Sequence, residues 1–129
     1  MKKILFVSLL SILIMVPNSL SAQTASAKKI VAGSWLGKLS ADGMDLRVIF
    51  NLTLTNKDSL TVTLDSPDQG AKDIPAGPVT LDKQKIVIQA PGINGEYNGT
   101  VTSDSTIDGT WTQNGVTSPL NLKKQVKPK

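Results

Sequence analysis

Three aspartates crowd one short run of the chain, Asp65, Asp68 and Asp73, around Ser66-Pro67-Asp68-Gln69-Gly70, while the only glutamate stands apart at Glu96. Two carboxylates held together can act as acid and base when burial raises the pKa of one of them. The same residues are also good turn formers: proline fixes the entry, and aspartate accepts from nearby backbone N–H groups. The run therefore reads first as a turn, with Ser66, Asp68 and Gln69 as the side chains able to touch a ligand. Its spacing departs from that of a calcium loop. Arg47, the only arginine, is expected either to pair with a carboxylate on a neighbouring strand or to hold an anion. Histidine and cysteine are both absent. That removes Ser-His-Asp and Cys-His nucleophilic sites and the usual transition-metal ligands apart from carboxylates. No Gly-rich loop leads into a helix, so no phosphate cradle is expected, and no cofactor or metal is implied.

The aromatic residues make a second group. Trp35 and Trp111, the only tryptophans, stand in matching settings, Gly33-Ser34-Trp35 and Gly109-Thr110-Trp111. A tryptophan at the end of a barrel serves as a core plug or lines the mouth. Tyr97 is expected at the core edge with its hydroxyl reaching solvent. Gln113, just after Trp111, has an amide that can satisfy either a backbone group or a ligand.

Strands must position these residues. From Met44 to Thr55, Met44, Leu46, Val48, Phe50, Leu52 and Leu54 share one face, and polar residues, Arg47 among them, occupy the other; only Ile49 breaks the alternation. The first strand is placed at Ile30 to Leu39. Further strands are expected at Leu60 to Leu64, Val79 to Leu81, Lys85 to Gln89, Tyr97 to Thr102, Thr106 to Gln113 and Val116 to Lys123. Ala41-Asp42-Gly43, Asn56-Lys57-Asp58, Asp82-Lys83 and Asn114-Gly115 supply the turns. Asp65 to Gly77 is the least regular stretch. No helical period is present after the N-terminal apolar run. The expectation is an all-β fold, an antiparallel up-and-down meander of about eight to nine strands forming a small closed or partly closed, lipocalin-like barrel. Matching Gly-x-Trp strands near the two ends suggest closure between them, which would remove exposed edges.

Residues 1–22 read as a cleaved signal peptide: Lys2 and Lys3, an apolar run from Ile4 to Val16, a break at Pro17-Asn18, and a small residue, Ala22, before the cut. No cysteine follows, so a lipoprotein anchor is not expected, and the product is periplasmic or secreted. Residues 23–29 form a leader, 30–123 the barrel domain, and 124–129 a basic tail or linker remnant. The formal charge of +4 belongs to the ends. Between Ile30 and Leu122 six basic residues stand against all ten acidic ones, which argues against nucleic-acid binding. Zero cysteines leave packing and sheet pairing to hold the fold.

Four segments together, G-S-W-L-G-K-L at Gly33 to Leu39, D-S-P-D-Q-G-A at Asp65 to Ala71, Y-N-G-T at Tyr97 to Thr100 and G-T-W-T-Q-N-G-V-T-S-P-L-N-L at Gly109 to Leu122, resemble the N-terminal β domain of exported bacterial α/β hydrolases. In such proteins a Lys/Pro-rich linker leads into the catalytic domain, which bears the Gly-x-Ser-x-Gly elbow and its histidine. Neither is present in this sequence. The resemblance implies a non-catalytic exported module that binds a small apolar ligand or docks on a partner hydrolase. A component separated from an esterase or peptidase, or a purely structural exported protein, are the alternatives. The ligand-facing candidates are Trp35, Arg47, Ser66, Asp68, Gln69, Tyr97, Trp111 and Gln113.

Overall fold

The computed structural model describes residues 27–41 and 43–126. The expected signal peptide, the first part of the leader and the end of the tail lie outside the described residues. Residues 27–31 form a helical turn, closed by the Ala32 N–H donating to the Lys28 carbonyl at 3.1 Å. This replaces the extended chain expected from Ile30. Alanine and lysine at the start of the turn favour helix. The Trp35 indole N–H holds its far end, donating to the Val31 carbonyl at 2.8 Å, one of the acceptors a helix end leaves open.

The chain then crosses Gly33, at φ 135°, into β1 (Gly33–Ala41). The chain turns at Gly43, at φ 77°, into β2 (Met44–Leu54), and Ala41 faces Met44 across the hairpin; Asp42 of the expected turn lies outside the described residues. The alternation in β2 holds, with Phe50 and Leu52 buried, but Met44 is 63% exposed. The reason is register: β3 covers β2 only from Ile49 to Leu54, so the hairpin tip projects past the core. After β3 (Leu60–Ser66) comes a short helical turn, Pro67–Gln69, and then β4 (Ala71–Ala76). Proline, glycine and aspartate make this the least regular stretch in the sequence, yet it holds a strand. β4 is an edge strand, where the N–H that Pro75 lacks has no neighbour to reach. β5 (Val79–Asp82), β6 (Lys85–Ala90), a second helical turn at Pro91–Ile93, β7 (Gly95–Ser103) and β8 (Thr106–Gln113) follow. The single last strand expected over Val116 to Lys123 is two, β9 (Val116–Pro119) and β10 (Leu122–Lys124). Lys124, expected in the tail, belongs to the second of them.

All ten strands form one antiparallel sheet in the order β4-β3-β2-β1-β10-β8-β7-β6-β5, with β9 beside β8. It curls into a half-barrel. The fold is thus the all-β antiparallel one expected, and the first and last strands do pair, Trp35 facing Lys124 and Gly37 facing Leu122. Trp111, however, lies on β8, separated from β1 by β10. The open edges are β4 and β5, consecutive in the chain, where β3 packs on β5 and β4 on β6 and the second helical turn. Side chains fill the concave face: Trp35, Phe50, Tyr97, Ile86, Ile88 and Ile107 are fully buried. The Phe50 ring meets Tyr97 at 5.2 Å and Trp111 edge-on at 6.1 Å. Burying an aromatic side chain contributes about 4–6 kcal/mol before entropy is counted.

Candidate functional site

The aspartate run is a turn anchored to the next strand. Ser66, nearly buried, donates from its hydroxyl to Gln69 Oε1 at 3.0 Å, bridging the Pro67–Gln69 turn. Asp68 reaches β2, where its carboxylate accepts from the Arg47 backbone N–H at 2.7 Å and from the guanidinium Nη2 at 3.0 Å. Arg47 therefore does pair with a carboxylate, but one on a turn rather than on a strand, because β3 ends before it can lie beside Arg47. The guanidinium hydrogen bond, with the backbone N–H adding to it, holds the Asp68 carboxyl below the usual carboxylate range, and the same contact raises Arg47. Asp65 is engaged elsewhere, accepting from the Asp73 N–H at 2.8 Å and from Asn51 Nδ2 at 3.0 Å. The Asp65 and Asp68 carboxylates are thus spent on backbone and side-chain donors, and Asp73 takes part through its backbone N–H.

The aromatic candidates lie within the core. Tyr97 does not reach solvent: it is fully buried, and its hydroxyl donates to the Leu120 carbonyl at 2.8 Å. Burial, with the Asp108 carboxylate adding to it, pushes its pKa well above the ordinary 10.0. The ring crosses a slot where Gly99 faces Gly109; a Cβ on Gly109 would come within 2.7 Å of the hydroxyl, and one on Gly99 within 2.6 Å of the ring. This contact explains the broken last strand. β8 and β9 pair in a register that would carry on to Gly109 and Leu120, and the Leu120 N–H still donates to the Gly109 carbonyl at 2.8 Å. With the Leu120 carbonyl taken by Tyr97, the Gly109 N–H turns instead to Asn121 Oδ1 at 3.2 Å.

Trp111 and Gln113 form a relay. The indole N–H donates to Gln113 Oε1 at 3.1 Å, and Gln113 Nε2 donates to the Ile93 carbonyl at 3.0 Å. Trp35 is fully buried, with the Lys124 ammonium 5.5 Å from its ring centre; that ammonium also donates to the Ile30 carbonyl at 2.6 Å. Among the described residues no buried side-chain nitrogen or oxygen lacks a partner. The eight sequence candidates thus fall into two groups. Ser66, Asp68 and Gln69 build one turn, which Arg47 meets from β2; Trp35, Tyr97 and Trp111 lie in the core, with Gln113 half-buried at its edge.

Concavities lie on the outside. The largest described, about 740 Å³, runs where β1 and β9 splay apart and is flanked by Leu36, Lys38, Asp108, Asn121 and Lys123. A second, about 500 Å³, follows the open seam and is lined by Ile74, Pro75, Pro91 and Ile93. A smaller one, about 190 Å³, lies beneath the helical turn at residues 27–31. None of these lining residues is among the eight sequence candidates. The signal available for the first was Pro119-Leu120-Asn121, a proline and an amide inside an otherwise regular last strand. Comparison of the chain with protein-family models, with curated proteins and with solved structures finds no match.

Proposed function

We propose that this chain is a non-catalytic exported β-barrel module that works by docking on a partner protein through its outer surface. The observation that carries the reading is the filled interior: the aromatic residues that would line a ligand chamber are buried against one another, and their polar atoms are satisfied within the protein. An exported α/β hydrolase is the partner that the resemblance in sequence suggests, and the same docking would serve a component separated from its catalytic domain. A second reading rests on the seam, whose apolar lining suits a small apolar ligand. Tryptophan fluorescence and thermal shift on the exported protein separate the two. Fatty acids, acyl esters and glycans are expected to leave both unchanged. A saturable change in emission, with stabilisation that grows with ligand concentration, would favour the seam, because the Ile93 carbonyl is tied to Trp111 through Gln113.

A further inference from the structure

We infer that the groove between β1 and β9 takes an extended peptide segment bearing carboxylate side chains, which adds as a short strand to the open edge of β1. The inference rests on the docking reading and names the chemistry of the partner. β1 is paired along its whole length by β2, but on its other side β10 covers only Trp35 to Gly37. From Lys38 to Ala41 that edge has no strand beside it among the described residues. The opposite bank, β9, pairs only with β8. Unpaired N–H and C=O groups in a row are a template for strand addition, and this stretch would span roughly 13 Å at the usual rise per residue.

The divergence is built into the core. Tyr97 and Asn121 break the last strand at Leu120, and the Leu120 and Leu122 side chains lie against Gly37, where a Cβ would meet each at 2.7 Å. Beyond Gly37 the last strand no longer pairs with β1. The free edges of β4, β5 and β9 contain or adjoin proline, at Pro75, Pro78 and Pro119, and on β2, which β3 leaves uncovered from Met44 to Val48, the Arg47 N–H is already taken by Asp68. Proline blunts an edge by removing donors. Lys38-Leu39-Ser40-Ala41 contains none, so every backbone donor on it is intact.

Charge selects the occupant. Lys38 sits directly opposite Arg47 on the outer face, a like-charge pair that repels. Arg47 is matched by Asp68, whereas no carboxylate lies within ion-pair distance of Lys38 among the described residues. Lys123 stands on the same groove, and Asp108 is the acidic residue lining it. The groove is therefore cationic on a body whose charge balance is acidic. In an added strand, alternate side chains point the same way, so an acidic residue at every second position would meet Lys38 and Lys123 while main-chain bonds hold the register.

The test is fluorescence anisotropy of a short, capped, fluorescein-labelled peptide of alternating threonine and aspartate, with the threonine–lysine peptide as its counterpart. The aspartate peptide is expected to saturate and to weaken with added salt. Methylating its alternate amides should abolish binding, and Lys38→Glu with Lys123→Glu should weaken it by roughly tenfold or more. Both lysines are exposed, and an unchanged melting temperature confirms that the variant folds. Equal binding of the lysine peptide, indifference to amide methylation or to charge reversal, or no binding at all would overturn the assignment. So would a concentration-dependent dimer of the protein alone that the double variant breaks, since the occupant would then be a second copy. Absence of peptide binding with a silent ligand screen removes only the groove; a saturable response to an apolar ligand counts against the docking reading itself.

Discussion

Gly33-Ser34-Trp35 and Gly109-Thr110-Trp111 share a spacing, yet each glycine and each indole does a different task. Gly33 bends the chain out of the helical turn at φ 135°, and the space above it is taken by the flexible Lys124 side chain. Gly109 lies in a regular strand and is needed because an aromatic ring passes over it; a Cβ there would meet the Asn98 carbonyl and the Gly99 backbone. Trp35 finds its acceptor on the backbone of the helical turn, and Trp111 on a side chain two residues along. The two segments are alike as strings of residue types because strands with a large apolar residue beside a close approach share that pattern. What approaches is decided elsewhere in the chain.

The largest expected effect is at Gly109. Gly109→Ala forces backbone to move and is expected to cost about 3 kcal/mol or more, whereas Gly33→Ala meets a movable side chain and pays chiefly for its backbone angle, about 1–3 kcal/mol. Thermal denaturation of the two variants orders them. Equal losses would mean that the glycines act alike.

Next comes the tyrosine that uses the slot. Tyr97→Phe strands the buried Leu120 carbonyl and should lose about 1–3 kcal/mol. It also frees that carbonyl to accept from Gly109, so Asn121→Ala should be less costly in the Tyr97→Phe background than in the native chain. A double-mutant cycle with no coupling would sink the account of the broken strand. Tyr97 also sets a pH dependence. Its folded pKa is raised, so the stabilisation is complete below the ordinary value of 10.0 and is lost as pH rises above it. Melting temperatures in alkali should fall in the native protein, and less steeply in Tyr97→Phe.

On the other Gly-x-Trp segment, Lys124→Ala removes the cation beside Trp35 and the bond to Ile30, an expected loss of about 0.5–1.5 kcal/mol. Its first sign should be faster amide exchange at residues 27–31, before the melting temperature moves. The smallest effect belongs to the exposed Arg47–Asp68 pair. Asp68→Asn should lower the melting point least of these variants. Because the folded Asp68 pKa is depressed, the difference from the native protein should be present at neutral pH and vanish as pH falls through that depressed value.

Much of the fold was legible along the chain. The alternation of Phe50 and Leu52 with their polar neighbours, and the turn at Asn114-Gly115, are properties of a few consecutive residues, and the backbone expresses them wherever it lies. β4 was missed because Pro75 argues against a strand that has neighbours on both sides, and only the sheet order makes β4 an edge. The candidate residues were chosen by type, and half of them turned out to lie in the core or at its edge. Trp35, Tyr97, Trp111 and Gln113 each carry a polar atom that needs a partner when buried, which gives them the same chemical profile as ligand-facing groups.

By itself the sequence determined the all-β class, most of the turns, the acidic body between basic ends, and a fold that stands without disulfides, histidine or cysteine. Tertiary structure alone decided that Arg47 meets Asp68 across 21 residues and that Tyr97 meets Leu120 across 23. It also decided that the open seam falls between β4 and β5 and that the last strand breaks to leave the β1 edge uncovered. Local pattern fixes which face of a strand is buried. The curl of the sheet sets which distant strands those faces and edges meet, and that curl is a property of all ten strands together.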